Sequence, residues 1–161
     1  MSDHMQYVTF GVADEIFAAP VERVREILDL RPISSLPRSP EAVLGIIDLR
    51  GQTVAVLDLR KTLRMPAVED THHTRIVVLS IPREKGEGLL ALKTDRVFEV
   101  APLDDDKLEP PPDVGPSWSQ TVIAGVGRRH GAFVTVVDLD GLFAGLDLAT
   151  IARAAPATAA A

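Results

Sequence analysis

Gly45-Ile46-Ile47-Asp48-Leu49-Arg50-Gly51-Gln52-Thr53-Val54-Ala55-Val56-Leu57-Asp58-Leu59-Arg60 is the most informative stretch of this chain. Val54 to Leu59 is short, rich in β-branched residues and set off by the Arg50-Gly51 turn, which favours a strand over a helix. The pattern returns further on. Gly45, Gly51, Val54, Val56, Asp58 and Leu59 recur as Gly125, Gly131, Val134, Val136, Asp138 and Leu139, each displaced by 80 positions. Upstream, Arg23-Val24-Arg25-Glu26-Ile27 recurs as Arg96-Val97-Phe98-Glu99-Val100, displaced by 73. Two blocks in the same order mark a duplicated unit, with the 7-residue difference taken up by a loop containing Pro110-Pro111-Pro112.

Other short apolar runs have the same character: Tyr7 to Val12, Arg75 to Ile81, Leu89 to Leu92 and Phe133 to Val137. Helical signals are few. Ser39-Pro40-Glu41-Ala42 reads as a cap and first turn running to Leu44, and Asp147 as the cap of a helix over 148–154, stopped by Pro156. A unit of about 70 residues made of short strands must cover its sheet edges, and curling into a small barrel does so. The expected fold is therefore all-β: two small barrels side by side, sharing apolar surface and leaving a groove between them. One domain over 5–150 is expected, with its halves dividing near 65–74, followed by an Ala-rich tail at 151–161.

Composition narrows the function. Hydrophobic residues make up 46% of the 161, enough for a packed core. No apolar run is long enough to span a bilayer, so no direct membrane insertion is expected. Met1 to Gln6 lacks the pattern of a secretory signal. The absence of cysteine removes thiolate chemistry and suits the cytoplasm. A net charge of −6 and only 4% aromatic residues leave little with which to hold phosphate backbones or stack bases, so no nucleic-acid partner is expected.

Candidate chemical sites are sparse. His72 and His73 lie in a polar run, and neighbours on an extended chain point opposite ways, which makes a poor ligand pair. Asp104-Asp105-Asp106 with Glu109 lacks the alternating ligands and glycine of a calcium loop. No metal or cofactor is expected. Asp58 and Asp138 sit in Val-x-Asp-Leu at strand ends, where a carboxylate can accept backbone N–H bonds and hold a turn. Gly51 and Gly131 fall where the chain reverses and φ > 0 is often needed. Arg50 stands out as a forked donor beside apolar Ile46, Ile47 and Leu49, a combination suited to an interface.

The Gly45–Arg60 run resembles the G-x-I-N-L-R-G-x-x-x-P-V-x-D-L signature of CheW, the coupling protein of bacterial chemosensory arrays. Val21 to Ile27, Ile33 to Glu41, and Thr94-Asp95-Arg96-Val97 through Val100 are similar to further segments of that family, so the resemblance covers residues 5–150. Asp48 and Ala55 depart from the commoner Asn and Pro. The resemblance implies two five-stranded SH3-like barrels around a shared hydrophobic core, with short helices including one near the C-terminus. Exchange of terminal strands between the halves is left open. It implies a non-catalytic adaptor that binds the regulatory domain of a CheA-type histidine kinase and the cytoplasmic tip helices of chemoreceptors, and that is recruited to membrane-associated arrays. By matching position it assigns receptor contact to Arg50, Val24 and Glu26, with Val21 and Leu49 as further candidates; it assigns no kinase-contact residues. Two other readings stay open: a diverged relative that binds one partner only, and a small-ligand-binding or enzymatic tandem-barrel protein.

Overall fold

The computed structural model describes residues 5–38, 43–62, 65–82, 87–105, 107–110 and 123–144. The Ser39–Ala42 cap, the helix expected over 148–154 and the 151–161 tail lie outside them. Among the described residues ten strands run β1 Gln6–Val12, β2 Glu15–Pro20, β3 Val24–Asp29, β4 Val43–Leu49, β5 Gln52–Asp58, β6 Arg75–Pro82, β7 Glu87–Thr94, β8 Arg96–Pro102, β9 Ile123–Arg129 and β10 Ala132–Val137. Short helices α1, Leu59–Thr62, and α2, Leu139–Ala144, follow β5 and β10. Two expectations shift. Leu44 is in strand β4 rather than at the end of a helix, and Leu59 opens α1 rather than closing a strand.

The strands form two five-stranded sheets, ordered β8-β1-β2-β10-β9 and β3-β6-β7-β5-β4. The orders correspond place for place if β1 to β5 are matched with β6 to β10, so the duplication covers the whole strand set. Each sheet nevertheless mixes the repeats. The first takes β1 and β2 from the first repeat and β8 to β10 from the second; the other takes β3 to β5 and β6 to β7. The chain passes from one sheet to the other between β2 and β3, and again between β7 and β8.

Each sheet is drawn into a barrel by its own chain. Beyond β3 the backbone reaches Ser34, which exchanges two hydrogen bonds with Ile46 of β4, the opposite edge strand (2.9 and 2.8 Å). Beyond β8 it reaches Glu109, which does the same with Val126 of β9 (2.9 and 2.8 Å). Ile46 and Val126 are 80 positions apart, so closure repeats with the sequence. The glycine preceding each is a packing requirement. A Cβ on Gly45, at φ +156°, would lie 2.0 Å from the Ser34 carbonyl oxygen, and one on Gly125 would lie 2.8 Å from Leu108 Cβ.

Because side chains alternate across a strand, every inner strand serves two cores. Val54, Val56, Ile76, Val78 and Ala91 fill one barrel, and Tyr7, Ala18, Val134 and Val136 the other. The alternate set from both sheets forms a shared layer: Phe10, Val12, Phe17 and Ala19 meet Leu57, Val77, Leu79, Leu90 and Leu92. This explains why β1 is buried from Tyr7 to Val12 without alternation.

Candidate functional site

The residues singled out in the first repeat gather at the first crossing between sheets. Val21–Arg23 forms a 3-10 turn between β2 and β3 that touches both β1 and β6, one strand from each sheet. Val21 is 37% exposed there. Val24 opens β3 and packs, half-buried, against the rim of the shared core. The crossing is pinned by Arg23, whose Nε donates to the Ser80 carbonyl (2.9 Å) and whose Nη2 meets Asp140 Oδ1 (3.3 Å).

The register slips between Val24 and Glu26, so Arg25 is bulged out and Glu26 pairs with Val78. From there Glu26 reaches the β4–β5 turn. Arg50 Nη1 donates to Oε1 (3.1 Å) and Nη2 to Oε2 (2.6 Å), a fork-on-fork pair. The Arg50 hydrogen bond holds the Glu26 carboxyl below its usual range, and Glu26 in turn raises Arg50. The Arg50 side chain remains 72% exposed. Arg50 and Gly51 both have positive φ (+50° and +87°) in a two-residue hairpin connection, and the Gly51 N–H donates to Asp48 Oδ1 (2.8 Å). Asp48, standing where the family signature has Asn, supplies the oxygen that fixes this turn.

Leu49 does not join this surface. It is 6% exposed and packs inside the barrel with Ile47 and Val54. Its proximity to Arg50 is along the chain only, because adjacent strand residues face opposite ways. Asp58 accepts the Arg60 N–H (2.9 Å) and Asp138 the Gly141 N–H (3.0 Å), so each opens the short helix that follows its strand. Gly131, at φ +82°, follows His130 at +54° in the second hairpin turn.

The second repeat carries a related pair that the sequence reading missed. Arg129 Nε lies 3.5 Å from Glu99 Oε2. Displacing Glu26 by 73 gives Glu99, and displacing Arg50 by 80 gives His130, one residue from Arg129; the offset was the available signal. Here the turn is held from a distance, since Asp104 accepts both the His130 and Gly131 N–H groups (2.9 Å each). Those bonds depress the Asp104 carboxyl and tie it to the turn.

The second crossing is also tied by charge. Arg60 Nε and Nη2 donate to Asp95 Oδ1 and Oδ2 (3.1 and 2.5 Å), and Asp95 Oδ2 also accepts the Ala13 N–H (2.8 Å). The pair links α1, behind the second sheet, to the β1–β2 turn of the first. His72 and His73 depart from the sequence expectation. They occupy a turn tied by Thr71 and Thr74, which brings their rings to 4.0 Å between centroids, and the His72 charge lowers the His73 pKa. Among the described residues no three His, Cys, Asp or Glu side chains are arranged to hold a metal ion. None of the described helices is long and apolar enough to cross a membrane.

This architecture has close counterparts. The chain is 30% identical over 138 residues to a chemotaxis protein CheW of Rhizobium meliloti, covering 86% of each. It is 26% identical over 126 residues to the protein FrzA of Myxococcus xanthus, covering 78% of this chain and 76% of that one. Among solved structures, the scaffolding protein TtCheW from Thermoanaerobacter tengcongensis superposes with a TM-score of 0.74 at 27% identity, over 84% of this chain and 90% of that one. The family model of the CheW-like domain matches residues 6–147. The chain belongs to the CheW-like domain family.

Proposed function

We propose that this protein is a non-catalytic adaptor that couples chemoreceptors to a CheA-type histidine kinase in a bacterial chemosensory array. It would act in the cytoplasm, at the cytoplasmic tips of membrane-bound receptors. The observation that carries the reading, beyond family membership, is the juxtaposition at the first crossing. Val21 and Val24 present apolar surface at the seam of the two sheets, beside the forked Glu26–Arg50 pair. An amphipathic receptor helix fits such a site: its apolar face meets the valines and its polar face meets the ion pair. Arg50 is the leading energetic contact, since its guanidinium keeps N–H groups free of Glu26 and is mostly in solvent.

The test is a titration of a purified receptor-tip fragment against wild type and Arg50→Glu, with kinase stimulation read in parallel. The variant is expected to keep the wild-type circular dichroism spectrum, to bind the tip at least tenfold more weakly, and to lose most of the stimulation. Unchanged affinity and stimulation would remove Arg50 from the mechanism. Separate pull-downs with the kinase regulatory domain and the receptor tip distinguish a coupler from a relative that keeps one partner only.

A further inference from the structure

Among the described residues, the strand ladders within each repeat are hairpins, beside the single Ser34–Ile46 and Glu109–Val126 bridges that close the barrels. The first repeat pairs β1 with β2 and β4 with β5; the second pairs β6 with β7 and β9 with β10. Every other ladder joins one repeat to the other: β1 to β8, β2 to β10, β3 to β6 and β5 to β7. Taken alone, a repeat is thus two hairpins and an unpaired strand, and an isolated hairpin is at best marginally stable in water. The shared core is divided in the same way. Phe10, Phe17 and Leu57 come from the first repeat, and Val77, Leu79, Leu90, Leu92 and Val137 from the second.

The covalent link between the repeats contributes little to this arrangement. Asp58 of β5 and Ile76 of β6 flank Lys93 of β7 in register, so their backbones are about 10 Å apart across two strand spacings. Residues 63–74, which make the connection, could reach roughly 40 Å if extended. Within it, Pro66 to His73 are all exposed. The linker touches the second sheet through Met65 against the shared core and Asp70 on Lys93 of β7, and its main effect is to raise the effective concentration of one repeat near the other.

We infer that the two repeats are obligate binding partners that recognise each other as separate polypeptides, so that a second copy of the chain can supply either repeat. The recognition surface is the set of four inter-repeat ladders together with the shared apolar layer. This holds whichever partners the folded adaptor engages.

The experiment cuts the full-length folded chain and asks what stays together. A site-specific protease sequence inserted between Val68 and Glu69 is cleaved under native conditions, and mass is followed by light scattering at micromolar concentration. The expected result is one species of unchanged mass and unchanged circular dichroism, with thermal unfolding that has become dependent on protein concentration. Cleaved tagged and untagged chains, unfolded together and refolded, should yield hybrids in statistical proportion, with half of the pairs mixed. Separation of the halves on cleavage, loss of structure, or one half keeping its sheet alone would each overturn the inference. If the insertion itself hinders folding, the same protease sequence substituted within the exposed residues 66–73 instead of inserted gives the same readout.

Discussion

Removing the Asp95 carboxylate is expected to be among the most damaging polar substitutions in this protein. In Asp95→Ala three hydrogen bonds disappear: two from Arg60 and one from the Ala13 amide. The Arg60 side chain, only 11% exposed, would keep its bond to the Pro66 carbonyl (2.8 Å). Hydrogen bonds to charged groups contribute about 1.5–3 kcal/mol each when shielded from water. Asp95 is 30% exposed and the Ala13 amide lies at the surface, so water recovers part of that sum. A net loss of about 2–4 kcal/mol remains, which for a domain of this size lowers Tm by roughly 5–15 °C.

Urea denaturation followed by circular dichroism measures the loss directly, and a cycle with Arg60→Ala isolates the pair. The pH dependence supplies a second check. Burial pushes the Asp95 carboxyl up, but the Arg60 and Ala13 hydrogen bonds outweigh it and leave the group below its ordinary value. A carboxyl depressed in the folded state gives its full stabilisation above the unfolded pKa, about 4, and loses it as pH falls through the folded value. The wild type's advantage over Asp95→Asn should therefore be complete near pH 7 and shrink in acid. A loss below about 0.5 kcal/mol, the scale of ordinary surface substitutions, together with a difference that does not change with pH, would refute the assignment of Asp95 as an inter-sheet tie.

Two further outcomes follow from the geometry. Gly45→Ala should cost at least about 3 kcal/mol in urea denaturation, because its Cβ collides with the Ser34 carbonyl and opens the barrel, whereas Gly51→Ala, with empty space around it, should cost only the roughly 1 kcal/mol of a left-handed backbone. In Arg50→Ala the Glu26 carboxyl, titrated by NMR, should rise from its depressed value to the ordinary glutamate range; a pKa that stays low would mean that some group other than Arg50 sets it.

The β4–β5 and β9–β10 hairpins were legible because both of their signals are local: a glycine at a two-residue turn and β-branched residues beyond it. β3 was harder. Val24 to Asp29 is an edge strand with one fully buried residue, Leu28, and a bulge at Arg25 that breaks the alternation by which strands are recognised. β2, Glu15 to Pro20, carries two alanines and ends in proline, a composition poor in strand formers. Which hairpin joins which sheet could not be read locally, since it depends on apolar faces that meet only after folding. The Glu26–Arg50 pair was half legible. Both residues were identified, but nothing in their spacing of 24 positions shows that a bulge turns one carboxylate toward one guanidinium.

Strand exchange obliges the chain to cross between sheets twice, and each crossing carries an ion pair whose charges are reversed relative to the other. At the second, the carboxylate of Asp95 beside the crossing meets Arg60 on α1; at the first, the guanidinium of Arg23 meets Asp140 on α2, the position equivalent to Arg60 by the 80-residue offset. The two are not equally firm. Arg60 is bidentate on a partly buried carboxylate, whereas Arg23 makes one 3.3 Å contact with an Asp140 that is 71% exposed, and its better bond is to the Ser80 backbone. A surface pair of that kind contributes little by itself. The Val21–Val24 rim is thus positioned mainly by the Arg23 bond to the Ser80 carbonyl, by the strands on either side and by the packing of Val24 on the shared core. Val21, exposed on this rim, is open to a partner, while at the second crossing Arg60 and Asp95 are committed to each other and fix the sheets.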